Sequence, residues 1–164
     1  MPEIYYRRER KFKSDWLPTP FFPPKDLTVQ ASGICFTSQG LITMVSDGSG
    51  WVCPGGYPEQ GEKLEETLIR EIAEEACARV LDYQYLGSIR TFELTPVPAW
   101  GLPLFYQARY WVRIENDEYL PTHEMTARKD FQPDQFVDIL RWNAKRTAQS
   151  FLTEAIAVEK KKAQ

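Results

Sequence analysis

The sequence predicts an α/β fold in which a mixed β-sheet lies between helices. Strand-like segments come first and then interleave with two helical ones, the order expected of a sheet covered on both faces. One segment, Leu102, Leu104, Tyr106, Ala108, Tyr110, Val112 and Ile114, alternates with period two. Another, from Glu62 to about Arg79, contains no glycine or proline and is dominated by good helix formers.

Taken in order, residues 1–26 read as an extended arm ahead of a domain spanning 27–164. The arm carries a basic run, Arg7-Arg8-Glu9-Arg10-Lys11-Phe12-Lys13, followed by Pro18, Pro20, Pro23 and Pro24, and proline disfavours helix. Its aromatics suit an arm lying on the domain or on a second copy, so a homodimer with an exchanged strand is one expectation. Thr28–Phe36 and Leu41–Val45 flank Ser38-Gln39-Gly40 as a hairpin, and Asp47–Gly50 turns the chain into Trp51-Val52-Cys53. A strand is expected over Tyr83–Leu94, a long functional loop over Glu115–Pro133, and a short strand over Phe136–Leu140. A final helix follows, with Asn143 as its cap, an apolar stripe of Ala148, Phe151, Leu152, Ala155 and Ile156, and a basic end at Lys160-Lys161-Lys162.

Composition excludes several functions. The chain has 164 residues, 43% apolar and 26% charged, with a formal net charge of −3, a balance that argues against general binding to a nucleic-acid backbone. No apolar run approaches the length of a membrane span, and the N-terminus lacks the apolar core of a secretory signal. Cys35, Cys53 and Cys77 are widely spaced, which favours reduced thiols and a cytoplasmic location.

Chemistry concentrates between Gly55 and Glu75. Glu71, Glu74 and Glu75 sit at i, i+3 and i+4, so one helix face carries three neighbouring carboxylates. Their repulsion calls for a positive partner. Arg70 offsets one charge, and a hard divalent cation such as Mg²⁺ suits the remainder. Pro54-Gly55-Gly56 allows a tight turn that brings a backbone carbonyl close to an ion or substrate. No GxxxxGK[ST] or GxGxxG pattern is present, and an acidic helix start repels phosphate unless a metal intervenes.

This segment resembles the signature of the Nudix hydrolases, G-x5-E-x7-R-E-U-x-E-E-x-G-U, with U a bulky aliphatic residue. Gly56, Glu62, Arg70, Glu71, Ile72, Glu74 and Glu75 fall on its positions without a gap. Cys77 and Ala78 depart from it, standing where glycine and a larger aliphatic are usual, so the helix exit is expected to differ or to run on into Arg79. The resemblance implies the family's α/β/α sandwich. It also implies Mg²⁺-dependent hydrolysis, with Mn²⁺ as the alternative ion, of a nucleoside diphosphate joined to another group by attack of water on phosphorus. It gives Glu71, Glu74, Glu75 and the Gly56 carbonyl as metal ligands, Arg70 as the orienter of a carboxylate, and Glu62 as part of the electrostatic network.

The general base stays open between Glu71 and the loop acids Glu115, Asp117, Glu118 and Glu124, of which Glu124, beside His123, follows Glu71. Nucleobases stack on aromatics, and Tyr57, Trp100, Phe105, Tyr106 and Trp111 are candidates, Tyr57 and Trp111 foremost. Pro96 and Pro98 lie near, but not on, the spacing associated with ADP-ribose activity. A small nucleotide substrate is the leading expectation. An RNA-end or decapping-type hydrolase gripped by the basic arm and a non-catalytic nucleotide sensor are the alternatives.

Overall fold

The structure, a computed structural model, describes residues 2–97 and 102–164. Its elements are β1 (Glu3–Arg7), β2 (Arg10–Pro18), β3 (Thr28–Phe36), β4 (Ile42–Ser46), β5 (Trp51–Val52), β6 (Gly55–Gly56), α1 (Leu64–Ala76), β7 (Ala78–Glu93), β8 (Leu104–Asn116), β9 (Ala127–Phe131), α2 (Phe136–Ile139) and α3 (Lys145–Lys162). The strands form one sheet in the order β1-β2-β7-β8-β3-β4-β5, with β6 added to β3 and β9 to β4. β3 and β8 run parallel and the other pairs antiparallel, so the sheet is mixed, as expected.

The period-two alternation of the central strands divides the core. Ala31, Cys35, Ala108, Tyr110, Val112 and Ile114 join Leu68, Ile72 and Ala76 of α1 in one cluster. Ile34, Phe36 and Trp111 join Phe136, Ala148, Phe151 and Leu152 in the other, beneath α2 and α3. The sandwich of helices on two faces follows directly. No helix among the described residues is long and apolar enough to cross a membrane, and Cys35, Cys53 and Cys77 are free thiols.

Several local expectations are corrected. The arm is extended, but as a hairpin: β1 pairs with β2, and β2 with β7 of the same chain, Phe12 opposite Glu93 and Pro18 opposite Gly87. Tyr5 and Phe12 stack at 5.3 Å and bury against Phe105. The loop expected over 115–133 contains β9, which pairs with β4 from Ile42–Phe131 to Ser46–Ala127. Only Phe131 of that strand is buried, so its alternation is too weak to read. Phe136–Leu140 is a helical turn rather than a strand, because Phe136 and Leu140, spaced i and i+4, are its buried positions. A 3-10 turn over Pro133–Gln135 leads into it, opened by Pro133, and the Gln135 side chain accepts the Gln132 N–H at 3.0 Å.

Asn143 does not cap α3. Its Nδ2 donates to the Tyr6 carbonyl at 2.7 Å, tying the helix entrance to the hairpin. The free N–H groups of Arg146 and Thr147 instead donate to the Glu3 carboxylate at 3.2 and 2.8 Å. An acid from β1 thus does the work that a local cap usually does, with the helix dipole in its favour.

Helix α1 ends at Ala76, and Cys77 takes the left-handed conformation, φ 51° and ψ 45°. The helix therefore does not run on into Arg79; it ends in a tight left-handed turn carried by a residue with a Cβ. Arg128 of β9 donates to the Ala76 carbonyl at 2.7 Å and the Asp117 N–H to the Cys77 carbonyl at 3.0 Å, which holds this exit. Left-handed backbone disfavours a side chain by about 1 kcal/mol. Cys77→Gly is therefore expected to raise stability by about 1 kcal/mol, about 3 °C in Tm for a chain of this size, while Cys77→Ala brings no gain. Calorimetric melts of the three proteins check this.

Candidate active site

The site is built where β6 turns into α1. Gly55 and Gly56 pair with Ser32 and Ala31 of β3, and the Pro54 carbonyl accepts from Gly33 N at 3.0 Å and Ser32 Oγ at 2.9 Å. This anchors the bend to the centre of the sheet. A Cβ at Gly56 would overlap the Glu71 carboxylate, so glycine here is what lets that acid lie against the backbone.

Around the bend, Arg70 gathers acids. Its Nε and Nη2 donate to Glu62 at 2.7 and 2.9 Å, its Nη1 to Glu71 at 3.0 Å and Glu74 at 3.2 Å, and its Nη2 also to the Tyr57 carbonyl at 3.1 Å. Glu62 further accepts from Thr67 Oγ1 at 2.6 Å and from the Glu59 N–H at 3.0 Å. The Arg70 hydrogen bonds hold the Glu62 carboxyl down at about 2, and Glu62 in turn keeps Arg70 charged well above its ordinary range. Glu62 and Arg70 are the frame of the site.

Glu75 lies outside that frame. It is 5% exposed, and among the described residues the one donor that reaches it is the Gly55 N–H at 3.2 Å. Burial pushes its carboxyl up to about 8, and the charges of Glu71, Glu124 and Glu74 add to the rise. Burial also raises Glu71, against the pull of Arg70. Glu124, from the loop between β8 and β9, sits close enough to act on Glu71, Glu75 and Tyr57, and His123 Nε2 stands 4.0 Å from Glu74. The fold thus brings Glu71, Glu74, Glu75 and Glu124 within electrostatic reach of one another. Of the remaining candidates for the base, Glu115 and Asp117 pair instead with Arg79 at 3.1 and 3.2 Å.

A set of hard carboxylate oxygens beside a glycine bend, with Glu75 lacking a cation, fits Mg²⁺ or Mn²⁺ in donor chemistry. Among the described residues no three such side chains are already converged on one point, and Arg70 holds the places that a cation would take on Glu71 and Glu74.

The aromatic expectations divide. Tyr57, half exposed, lines a cavity of about 590 Å³ beside the bend, as does the buried Phe105. Trp111 is a correction: it is 1% exposed in the core beneath α3, where its Nε1 donates to Glu159 at 2.8 Å, so no ring face is open to a ligand. Tyr106 is buried against Phe21. Trp100 and Pro98 lie outside the described residues.

Sequence reading missed the polar floor of that cavity. Arg109, Gln107 and Gln30 line it, and burial lowers the Arg109 guanidinium to about 10. The signal was present: Phe105, Gln107, Arg109 and Trp111 share the second row of β8, and polar residues in a strand covered on both faces need a reason.

Comparison with known proteins agrees with this fold. The family model for the NUDIX domain matches residues 26–153. A pyrophosphohydrolase of Bacillus subtilis, BsRppH, solved as a point mutant, superposes with a TM-score of 0.67 at 18% identity, covering 96% of this chain and 97% of that one. The NUDIX domain of Shewanella oneidensis NrtR, solved with ADP ribose, gives 0.59 at 15% identity over 83% and 92% of the two chains. An ADP-ribose pyrophosphatase of Streptococcus suis gives 0.56 at 16% identity over 81% and 92%. The chain belongs to the NUDIX domain family and has the fold of its pyrophosphohydrolases.

Proposed function

We propose that this protein hydrolyses the pyrophosphate bond of a nucleoside diphosphate joined to another group, using Mg²⁺ or Mn²⁺ held by Glu71, Glu74, Glu75 and the Gly56 carbonyl. The observation that carries the reading is the buried Glu75 carboxyl, raised to about 8 among three other acids and, among the described residues, without a cation of its own. A divalent ion bound there supplies charge neutralisation at the phosphate oxygens and a more acidic water.

The chain's own residues do the rest. Arg70 fixes the Glu62 carboxylate, and through it the start of α1, so that the acidic face meets the Gly55–Gly56 bend in one orientation. In this reading Glu71, whose carboxyl burial raises, takes the proton of the attacking water, and Glu124 is the second candidate for that step. Tyr57 offers a ring at the cavity mouth for the nucleoside to stack on.

The test is a screen of nucleoside diphosphate derivatives with Mg²⁺ or Mn²⁺, read as phosphate released after coupling to a phosphatase. Metal-dependent release from at least one derivative is expected. Tight binding of a nucleotide with no release under either ion would establish the sensor reading instead.

A further inference from the structure

The cavity beside the acidic row has the opposite charge. Arg109 stands on its floor, 9% exposed, and among the described residues only its Nη1 has hydrogen-bond partners: Gln30 Oε1 at 3.0 Å and the Ala108 carbonyl at 3.2 Å. Neither is an anion. Gln30 Oε1 is shared with Gln107 Nε2 at 3.1 Å, and the Arg109 guanidinium packs 5.6 Å from the centre of the Phe151 ring. Arg7 and Arg8, at the tip of the β1–β2 hairpin, line the same cavity. Among the described residues none of these three arginines forms an ion pair with a carboxylate, whereas Arg141, the fourth cation on the lining, is paired with Asp47 at 3.1 Å.

Three unbalanced cations, one of them buried, gain from an anion that enters. The planar fork of arginine matches phosphate oxygens two at a time. Without a bound cation, the acidic row repels the same group, so the two places select for different parts of a ligand. We propose that this cavity is a phosphate subsite separate from the acidic row, in which Arg109 anchors, and Arg7 and Arg8 close over, a phosphate ester carried in addition to the anhydride. That the phosphate belongs to a substrate rests on the hydrolase reading above; a free phosphate ion is the other source of the same chemistry. In the first case, specificity is for a nucleotide with a second phosphate on its ribose, at a hydroxyl other than the 5′ one, with the Tyr5 and Trp142 walls beside the nucleoside.

Isothermal calorimetry without divalent metal tests it, using adenosine 3′,5′-bisphosphate, adenosine 5′-monophosphate, adenosine and inorganic phosphate. The bisphosphate is expected to bind wild type at least about tenfold more tightly than the monophosphate, one charge-assisted contact in size, and adenosine weakest of the three. Arg109→Gln should bring the two nucleotides to within about threefold. The exposed pair Arg7→Gln with Arg8→Gln should do so in part, and it keeps the test alive if Arg109→Gln fails to fold. Inorganic phosphate binding as tightly as the bisphosphate would support the site and assign it to the free ion. Equal affinity for all three adenosine ligands, or a preference undiminished in both variants, would overturn it. Because no metal is present, the outcome is independent of hydrolysis: an inactive protein that keeps the preference loses the hydrolase reading alone.

Discussion

Glu75→Gln is expected to make the metal-free protein more stable at alkaline pH while lowering its turnover by a factor on the order of 10³. The stability effect follows from the position of the carboxyl. Its folded value, about 8, lies above the ordinary carboxylate value, so the folded chain holds a proton that the unfolded chain has released between those limits. The sign is therefore unfavourable with rising pH. Below about pH 4.5 the site takes nothing from stability; the loss grows as pH approaches 8 and is constant beyond it. At 1.36 kcal/mol per unit, and allowing for relaxation around the charge, wild type should lose about 3 kcal/mol across that window. Glu62 acts at the other end: with its carboxyl held at about 2, the stability it contributes is present above pH 4.5 and disappears as pH falls toward 2. Glutamine at position 75 cannot ionise, so urea titrations at pH 5 and pH 9 should show a slope for wild type that the variant largely lacks. Mg²⁺ should raise the Tm of wild type at pH 8 and leave that of the variant nearly unchanged. A variant that keeps the wild-type rate, or the wild-type pH slope, would remove Glu75 from the ligand set and from its place as the unbalanced acid.

The parts of the molecule that local spacing specifies were legible. Glu71, Glu74 and Glu75 lie on one face because a helix repeats every 3.6 residues, and the bend before them takes glycine because a Cβ at Gly56 would meet the Glu71 carboxylate and one at Gly55 would meet Ala31 and Ser32 of β3. The long alternation of β8 was legible for the same reason. What depended on distant partners was not. Phe12 finds Glu93, and Glu3 caps α3 from the other end of the chain, with no mark of either in the local sequence. Phe136–Leu140 has apolar residues that satisfy both strand and helix spacing, and the packing that buries Phe136 and Leu140 together decides it. Arg109 and Trp111 are the sharpest case. They are two residues apart on the same row of β8, yet α3 covers Trp111 and the cavity opens at Arg109. Where a helix from the chain terminus comes to lie is a property of the whole fold, so the aromatic looked like the ligand-binding residue and the arginine went unnoticed.

Arg70→Gln is expected to destabilise the metal-free protein by about 2 kcal/mol and to lower turnover by about 10², and the stability loss should be reversible by divalent cations. Among the described residues Arg70 is the only cation within ion-pair distance of Glu62, Glu71 and Glu74 together, with His123 touching Glu74 alone at 4.0 Å. Removing it leaves the shielded carboxylates of Glu62 and Glu71, 13% and 14% exposed, without a cation, Glu62 keeping only the neutral donors Thr67 Oγ1 and the Glu59 N–H. The frame of the bend loosens, since the donor to the Tyr57 carbonyl is lost as well. The same arginine also occupies oxygens of Glu71 and Glu74 that a metal ion would use, so its loss frees ligands while it removes order. Two effects of opposite sign on cation binding therefore separate by measurement. In thermal melts the rise of Tm with Mg²⁺ should be larger for Arg70→Gln than for wild type, whereas the rate at saturating Mg²⁺ stays low because the acids are no longer oriented. Arg70→Lys should restore the charge without the fork, recovering most of the stability but little of the rate. A variant whose melt responds to Mg²⁺ no more than wild type does would mean that Arg70 and the cation do not share oxygens. The acidic row would then be held by protein contacts alone.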